Sequence, residues 1–260
     1  MALVEANERD GVLEIALNDP STLNALSREL LLELRAALLS APDRPVRAVL
    51  LTGTGRAFSS GANLRAEGRQ LDDQGRPDLG RSIEETYNPL VDAIRDLPVP
   101  FVTAVNGVAA GAGLSLALTG DLILAGESAS FILAFRRIGL VPDASATYVL
   151  PRLIGKARAM EMALLGEAVD ARKALDWGMV NRVVPDADLP QTAVDLARAL
   201  AEGPASLGLT RRLMWESLDH SWGRQLDAER DAQRQAGRTA DFVEGVGAFL
   251  EKRPARFTGR

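Results

Sequence analysis

The chain has 260 residues, 47% of them hydrophobic and 25% charged, which is typical of a soluble protein with one sizeable core. Asp and Glu (35) outnumber Lys and Arg (30), and the resulting net charge of −5 argues against nucleic acid as a partner. The chain contains no cysteine and a single histidine, His220, which excludes disulfides, thiol catalysis and histidine or thiolate metal clusters.

The first part of the chain alternates between strand-like and helix-like segments. Its N-terminus lacks the apolar stretch of a signal peptide, and no window holds the ~18 apolar residues of a membrane span, so we expect a cytoplasmic protein with no membrane partner. Short apolar runs bounded by turn residues predict buried strands, and apolar residues at helical spacing predict helices. The predicted strands are 11–18, 46–53, 98–107 and 121–126, and the predicted helices are 21–39, 83–97 and 110–120.

Three local signals refine this pattern. Ser27 is a candidate N-cap for the first helix, and residues before Gly11 indicate a turn. Pro89 is expected to interrupt the helix at 83–97. Residues 65–82 are polar and contain glycine, which predicts a mobile loop.

The order of elements predicts an α/β fold with a helical C-terminal region. After about residue 186 the strand-like runs stop. The remaining segments, 188–203, 205–219, 224–238 and 240–253, all have helical patterns.

Two segments share one design, in which a buried strand runs into a glycine turn and then towards a helix. They are LLTGTGRAFSSGANL, ending at Leu64, and VTAVNGVAAGAGLSL, ending at Leu116. Glycine allows close approach to the backbone, and exposed N–H groups at a helix N-terminus favour negative charge. Two such turns facing each other could hold one oxyanion with two N–H donors.

Other interpretations of these turns stay open. A dinucleotide fingerprint requires G-x-G-x-x-G, but Leu116 occupies its third glycine position, and a P-loop requires a lysine that GTGRAFSSG lacks. From the local pattern alone, plain tight turns, an oxyanion site and nucleotide binding all remain possible.

Asp143, in GLVPDASATYVLPR, also admits two interpretations. Asp after Pro and before a helical run is a common N-cap arrangement. The surrounding residues are largely apolar, and burial raises the pKa of a carboxyl group towards the range of a catalytic acid or base. The two roles are compatible with each other.

Six segments in order resemble the crotonase family, also called the enoyl-CoA hydratase/isomerase superfamily. They are PSTLNALS, AFSSGANL, AVNGVAAGAG, GLVPD, LLGEAVDARKALDWGMVNRVV and GVGAFLEKRPARFTG, and the resemblance covers nearly the whole chain. Within the family, YNPLV, LVPD…LPR and the terminal FTGR look like the 2-(1,2-epoxy-1,2-dihydrophenyl)acetyl-CoA isomerases of phenylacetate catabolism.

The resemblance implies a crotonase-like spiral of ββα units, with the acyl-CoA site in residues 1–200. It implies that residues 201–260 form a helical region that covers the CoA and assembles a homotrimer or a hexamer made of two trimers. The substrate would be an acyl-CoA thioester, and coenzyme A would be part of that substrate. No metal or redox cofactor is implied.

The resemblance also implies roles for individual residues. The N–H groups of Ala62 and Ala112 would be the oxyanion donors. Asp143 would be the single acid/base. The CoA-binding and substrate-binding residues would be Ala62, Asn63, Leu64, Arg65, Ala112, Phe249 and Lys252.

Two departures bear on the reaction. The two glutamates of the family's hydratases are replaced by Ser115 and Phe135, and a serine does not replace a carboxylate base without a partner base. The resemblance therefore favours an isomerase that shifts a double bond from 3-enoyl-CoA to 2-enoyl-CoA, or converts a ring epoxide to an oxepin. A low-activity hydratase and a non-catalytic acyl-CoA-binding protein are the alternatives. Ser145 and Ala146 stand where close relatives carry two glycines, which leaves the acyl group open.

Overall fold

A computed structural model describes residues 2–65 and 71–260, and it confirms the α/β class. Six strands form the larger sheet, in the order β1-β2-β3-β5-β7-β10. They are β1 (Val4–Arg9), β2 (Val12–Leu17), β3 (Ala48–Gly53), β5 (Phe101–Val105), β7 (Leu122–Gly126) and β10 (Arg182–Val184). The β1–β2 pair is antiparallel, and the other neighbours are parallel.

A smaller sheet of four short strands lies in the order β4-β6-β8-β9. They are β4 (Ala57–Ser59), β6 (Val108–Ala110), β8 (Ser130–Ile132) and β9 (Ala168–Asp170). Along the chain β3, β5 and β7 of the larger sheet are each followed by a strand of the smaller sheet, β4, β6 and β8. This repetition of two strands followed by helical segments is the spiral that the resemblance implied.

The helices connect the strands and then form the C-terminal region. They are α1 (Arg28–Leu39), α2 (Leu79–Ser82), α3 (Asn88–Arg95), α4 (Ala112–Ala117), α5 (Ala146–Ile154), α6 (Lys156–Leu165), α7 (Ala171–Asp176), α8 (Leu189–Ala201), α9 (Ser206–Ser217), α10 (Trp222–Ala236) and α11 (Ala240–Glu251). None of them, among the residues described, is both long enough and apolar enough to span a membrane.

The central strands of the larger sheet, β3 and β5, are buried on both faces, which explains why they are short continuous apolar runs. On one face, Leu30, Leu34 and Leu38 of α1 pack into the main core. On the other face, alanines of α8 at a spacing of four residues, including Ala193 and Ala197, pack against Leu50, Val102 and Leu124. Small side chains allow this helix to approach the sheet closely, so residues 189–201 belong to the sheet's packing.

The predicted helix start at Ser27 is confirmed. The Ser27 hydroxyl accepts a hydrogen bond of 3.2 Å from Leu30 N, and α1 begins at Arg28. All four predicted strands are present, and as expected no strand follows Val184 in the described chain. The proposed boundary between residues 200 and 201 stays a prediction.

Strand β1 was not predicted from the sequence, and one local prediction is wrong. Residues 4–9 form β1 although only Val4 is buried, because the turn at Asp10 and Gly11, both with positive φ, folds them back along β2 as an edge strand. Pro89 does not interrupt its helix. A π-helical segment (Ile83–Tyr87) leads directly into α3, and Pro89 lies in the first turn of α3, where the hydrogen-bond pattern changes from π to α.

The loop predicted at 65–82 lies partly outside the described residues, since residues 66–70 are not among them. Further on, an isolated bridge joins Leu71 to Pro77, and Asp72 closes the turn between them by accepting hydrogen bonds from Gln74 N and Arg76 N. The helical segment that carries Tyr87 starts two residues after this turn, at Leu79.

Candidate active site

The two glycine turns identified in the sequence lie against each other. Each turn follows a strand of the smaller sheet, β4 or β6, and these strands pair in parallel. A Cβ atom on Gly113 would lie 2.7 Å from the Ser59 hydroxyl oxygen, and one on Gly61 would lie 2.6 Å from Ala110 O. Only glycine permits this approach, so the contact between the turns requires glycine at both positions.

Ala62 lies between Gly61 and Asn63, and the backbones of both neighbours are hydrogen-bonded to Leu26. Leu26 N donates to Gly61 O over 2.8 Å, and Asn63 N donates to Leu26 O over 3.1 Å. The N–H of Ala62 between them has no acceptor among the described residues.

Ala112 is the first residue of α4, and its N–H is likewise without an acceptor in the described part of the chain. Gly111 before it has φ 52° and ψ −127°, a conformation open essentially to glycine alone. A Cβ on Gly61 would lie 3.5 Å from Ala112 N, so the two N–H groups belong to one small region. Two such donors can stabilise a negative charge that develops on one oxygen atom.

Asp143 lies in the loop before α5, and it does not cap that helix. Ser145 holds the N-cap position, and no side chain accepts a capping hydrogen bond there. The Oδ1 atom of Asp143 is buried and has no hydrogen-bond partner among the described residues. Burial raises the pKa of Asp143 from 3.8 to about 6, with a smaller opposing effect from its own backbone N–H. A carboxyl group in this range can accept and return a proton near neutral pH.

The backbone after Asp143 is strained. Ala144 and Ser145 have φ values of 47° and 70°, in the left-handed region that favours glycine. The Ser145 hydroxyl is also buried without a described partner. Of the two departures from glycine noted in the sequence, Ser145 therefore takes an unfavourable conformation, whereas Ala146 is helical and buried. Strain of this kind is often found at functional sites.

The model of the family described as enoyl-CoA hydratase/isomerase matches residues 7–260. The chain belongs to the enoyl-CoA hydratase/isomerase family.

Individual relatives are similar to this chain along nearly their whole length. The 1,2-epoxyphenylacetyl-CoA isomerase of Escherichia coli (strain K12) is 46% identical over 263 residues, covering 100% of both chains. A "probable enoyl-CoA hydratase" of Rhodobacter capsulatus is 44% identical, covering 96% of each chain. Among solved structures, the enoyl-CoA hydratase of Bacillus anthracis superposes with a TM-score of 0.91 at 30% identity, over 99% of this chain and 100% of that one. The chain is thus an enzyme of the crotonase fold, and isomerases and hydratases both occur among its relatives.

The positions matched to the hydratase glutamates carry no acid. Ser115 is fully buried in α4, where its hydroxyl donates to Gly111 O over 3.4 Å. Phe135 is buried in a 3-10 helix (Ala134–Ile138). Glu85, a glutamate of the π-helical segment before α3, forms ion pairs with Arg28 at 3.2 Å and with Arg81 at 2.9 Å. Among these acids and former acid positions, Asp143 is the one with a buried carboxyl oxygen that has no described hydrogen-bond partner.

The residues assigned to CoA binding fall into two places. Asn63, Leu64 and Arg65 continue the turn from Ala62, where the Asn63 side chain accepts a hydrogen bond of 3.0 Å from Arg65 N. Phe249, 83% exposed, lies at the end of α11, and Lys252 terminates that helix in a left-handed conformation. No described contact within the chain joins them to Ala62 or Asp143, so their role in covering CoA stays a prediction.

Tyr87 is a buried residue that the catalytic motifs of the sequence did not single out. Burial raises its pKa, and the negative charge of Asp143 raises it further. The only signal in the sequence was its presence in YNPLV, a segment otherwise read as part of a helix.

Gly61→Ala is expected to lower kcat/KM for an acyl-CoA substrate by about 100- to 1,000-fold, the usual cost of losing one oxyanion donor. The new methyl group must move away from Ala110 O, and this displaces the N–H of Ala62. Steady-state kinetics measures the effect.

Gly75→Ala is the matched control for that change. Gly75 also has a positive φ, of 73°, but a Cβ there meets nothing within 4 Å. It reports the cost of backbone strain without displacing a turn. Equal losses in the two variants would contradict the importance of the contact between the turns.

Proposed function

We propose that this enzyme is an acyl-CoA isomerase that moves a proton between two carbons of one substrate, with Asp143 as the single acid/base. Two observations carry the proposal: the buried, unpartnered carboxyl oxygen of Asp143, and the N–H groups of Ala62 and Ala112, which have no acceptor among the described residues. The absence of a carboxyl group at Ser115 and Phe135 further supports isomerisation over hydration, because activating water by that route requires one.

In the proposed reaction the thioester oxygen of a 3-enoyl-CoA accepts hydrogen bonds from Ala62 N and Ala112 N. The Asp143 carboxylate removes a proton from C2, and the C–H electron pair forms a dienolate whose negative charge rests on the thioester oxygen. The carboxylic acid then returns the proton to C4, and the double bond ends between C2 and C3. The two N–H donors lower the barrier because they are already oriented towards the oxygen on which charge develops.

The pKa of Asp143 suits both halves of this cycle. A carboxyl group with a pKa of about 6 is mostly ionised at neutral pH, yet it is a stronger base than an exposed aspartate, whose pKa is 3.8. The same group in its protonated form is a weak enough acid to hold the proton until C4 accepts it. No metal or redox cofactor enters the scheme.

The acyl group is either a linear 3-enoyl chain or a ring epoxide that opens to an oxepin. The relationship to the 1,2-epoxyphenylacetyl-CoA isomerase of E. coli supports the ring substrate, and with it a place in phenylacetate catabolism. That the enzyme acts in the cytoplasm is part of the proposal.

We also propose that the enzyme works as a homotrimer or as a hexamer of two trimers. The support is an apolar surface on α11, where large side chains are exposed in the single chain: Phe242, Val243, Val246, Phe249 and Leu250. A surface of this size on a soluble protein usually marks an interaction site.

Isotope labelling tests the reaction. The enzyme is incubated with 3-hexenoyl-CoA in D₂O, and separately in H₂¹⁸O, and the products are analysed by mass spectrometry and NMR. We expect 2-hexenoyl-CoA that carries no ¹⁸O, with deuterium at C4 only to the extent that the proton on Asp143 exchanges with solvent before it is returned. A 3-hydroxyacyl product containing ¹⁸O would identify a hydratase, and CoA-ester binding with neither conversion nor exchange would identify a non-catalytic binder. Either result overturns the proposal.

A further inference from the structure

The backbone from Leu23 to Leu26 lies along the turn that carries Ala62. Leu26 forms a parallel bridge with Ala62. Leu26 N donates to Gly61 O over 2.8 Å, and Leu26 O accepts a hydrogen bond of 3.1 Å from Asn63 N. In a parallel pairing of this kind the residue between the two bonded neighbours points its own N–H away from the partner, because N–H directions alternate along an extended chain. The bridge therefore fixes the direction in which the Ala62 N–H points.

Two further hydrogen bonds extend this pairing to the whole 23–26 segment. Leu23 O accepts from Ser60 N over 2.9 Å, and Asn24 O accepts from the Ser59 hydroxyl over 2.7 Å. Each residue from 59 to 61, and also Asn63, is thus bonded to the 23–26 segment or to a residue that is. A shift of this segment moves the turn with it.

The 23–26 segment has a backbone conformation that its own residues do not favour. Leu23 and Asn24 have φ values of 61° and 55°, in the left-handed region. Asparagine is found there more often than other residues, whereas leucine is rare. Residues in this region keep their conformation only where the surrounding contacts hold it. The shape of the segment therefore depends on contacts from outside it.

The Asn24 side chain supplies such contacts. It is 0% exposed, and all of its hydrogen-bonding groups are used. Its Oδ1 atom accepts a hydrogen bond of 2.9 Å from Asp19 N. Its Nδ2 atom donates to Thr54 O over 3.0 Å and to Ala57 O over 2.8 Å. One buried side chain thus ties the 23–26 segment to the connection between β3 and β4, which leads into the turn of Ala62.

We propose that Asn24 is a positioning residue for the reaction: by holding the 23–26 segment in its left-handed conformation, it aims the Ala62 N–H at the thioester oxygen. The proposal rests on the oxyanion site of the proposed function. It adds to that site a residue that touches neither the substrate nor the reacting atoms. A misdirected N–H group stabilises the developing charge less, since donors of this kind act through distance and direction.

Asn24→Gly tests the proposal, because glycine adopts a φ of 55° without strain and the change removes only the side-chain contacts. We expect kcat for 3-hexenoyl-CoA to fall by about 10- to 100-fold, less than for the loss of a whole donor. The Kd of free coenzyme A, which has no thioester oxygen, should be nearly unchanged. An unchanged kcat overturns the proposal, and so does a loss of coenzyme A affinity as large as the loss of kcat.

A second measurement requires no turnover. Hexanoyl-CoA labelled with ¹³C at the thioester carbonyl gives one NMR signal, which moves downfield when the carbonyl oxygen accepts hydrogen bonds. We expect a smaller downfield shift on binding to Asn24→Gly than on binding to the wild type, and equal shifts overturn the proposal. If the wild type isomerised no enoyl-CoA, the proposed reaction would fail, while this signal would still decide the role of Asn24.

Asn18→Ala is the matched control. The Asn18 side chain also takes part in three hydrogen bonds, with Ala2 O, Glu5 and the Thr54 hydroxyl, and none of the described ones reaches the 23–26 segment. It should leave kcat and the carbon signal unchanged, and effects equal to those of Asn24→Gly overturn the proposal. If Asn24→Gly does not fold, Asn24→Asp takes its place. Aspartate keeps the shape and the Oδ1 acceptor but has no donor for the two carbonyl oxygens, so the same results are expected and the same results overturn the proposal.

Discussion

Asp143→Asn is expected to lower kcat for 3-hexenoyl-CoA by about 100- to 10,000-fold, the usual contribution of a positioned acid/base. Asparagine keeps the size and polarity of the side chain, but it cannot accept a proton from C2. Binding of the CoA ester depends on the glycine turns and should remain, so a calorimetric titration with the product should give a nearly unchanged Kd. Turnover near that of the wild type would remove Asp143 from the mechanism.

The pH dependence of the wild type follows from the same carboxyl group. Because burial holds the pKa of Asp143 at about 6, kcat/KM should rise as pH increases through about 6. Asp195→Asn is the control, since it removes the same charge from an exposed position on α8 and should leave the profile unchanged.

Stability should respond in the opposite direction to activity. The pKa of Asp143 is raised on folding, so between about pH 4 and pH 6 the folded state binds more protons than the unfolded state, and stability falls as pH rises through this range. Asparagine carries no charge to desolvate. Thermal unfolding should therefore show Asp143→Asn to be more stable than the wild type above pH 6, with the difference closing towards pH 4. A difference independent of pH would contradict a buried, titrating Asp143.

Arg211→Met is expected to lower the free energy of unfolding by about 3–5 kcal/mol, the usual effect of removing one partner of a buried ion pair. The Arg211 side chain is 3% exposed and donates to Asp121 over 2.6 Å. It also donates to three carbonyl oxygens at the end of α3 and just after it, those of Ile94 (2.7 Å), Arg95 (2.7 Å) and Leu97 (2.9 Å). Methionine fills much of the space but removes these donors and the cation beside Asp121, whose carboxylate keeps only the hydrogen bonds from Phe101 N and the Trp215 indole.

Urea unfolding at one fixed protein concentration measures this effect. Arg212→Met is the matched control, because Arg212 is the adjacent residue on α9 and is exposed. Its change should stay within about 0.5 kcal/mol, as for most surface substitutions. A similar loss in both variants would show that Arg211 contributes through helix α9 in general and not through its buried contacts.

The sequence by itself determined the elements whose signals are local. The apolar spacing of α1, its N-cap at Ser27 and the apolar runs of the larger sheet are each readable in a short window, because burial on a helix face or in a strand imposes a fixed period. The motifs, taken in order, indicated the family. Because Ser115 and Phe135 stand where the family's hydratases carry glutamates, Asp143 was predicted as the single acid/base.

Only the tertiary structure decided the features that depend on residues far apart in the chain. β1 forms because β2 supplies its hydrogen bonds, and its own sequence shows almost no apolar period. Gly113 is required by Ser59, which lies at the end of β4, more than fifty residues earlier in the chain. The pKa of Asp143 depends on what surrounds the carboxyl group after folding, since desolvation is a property of distance in space and not of spacing along the sequence.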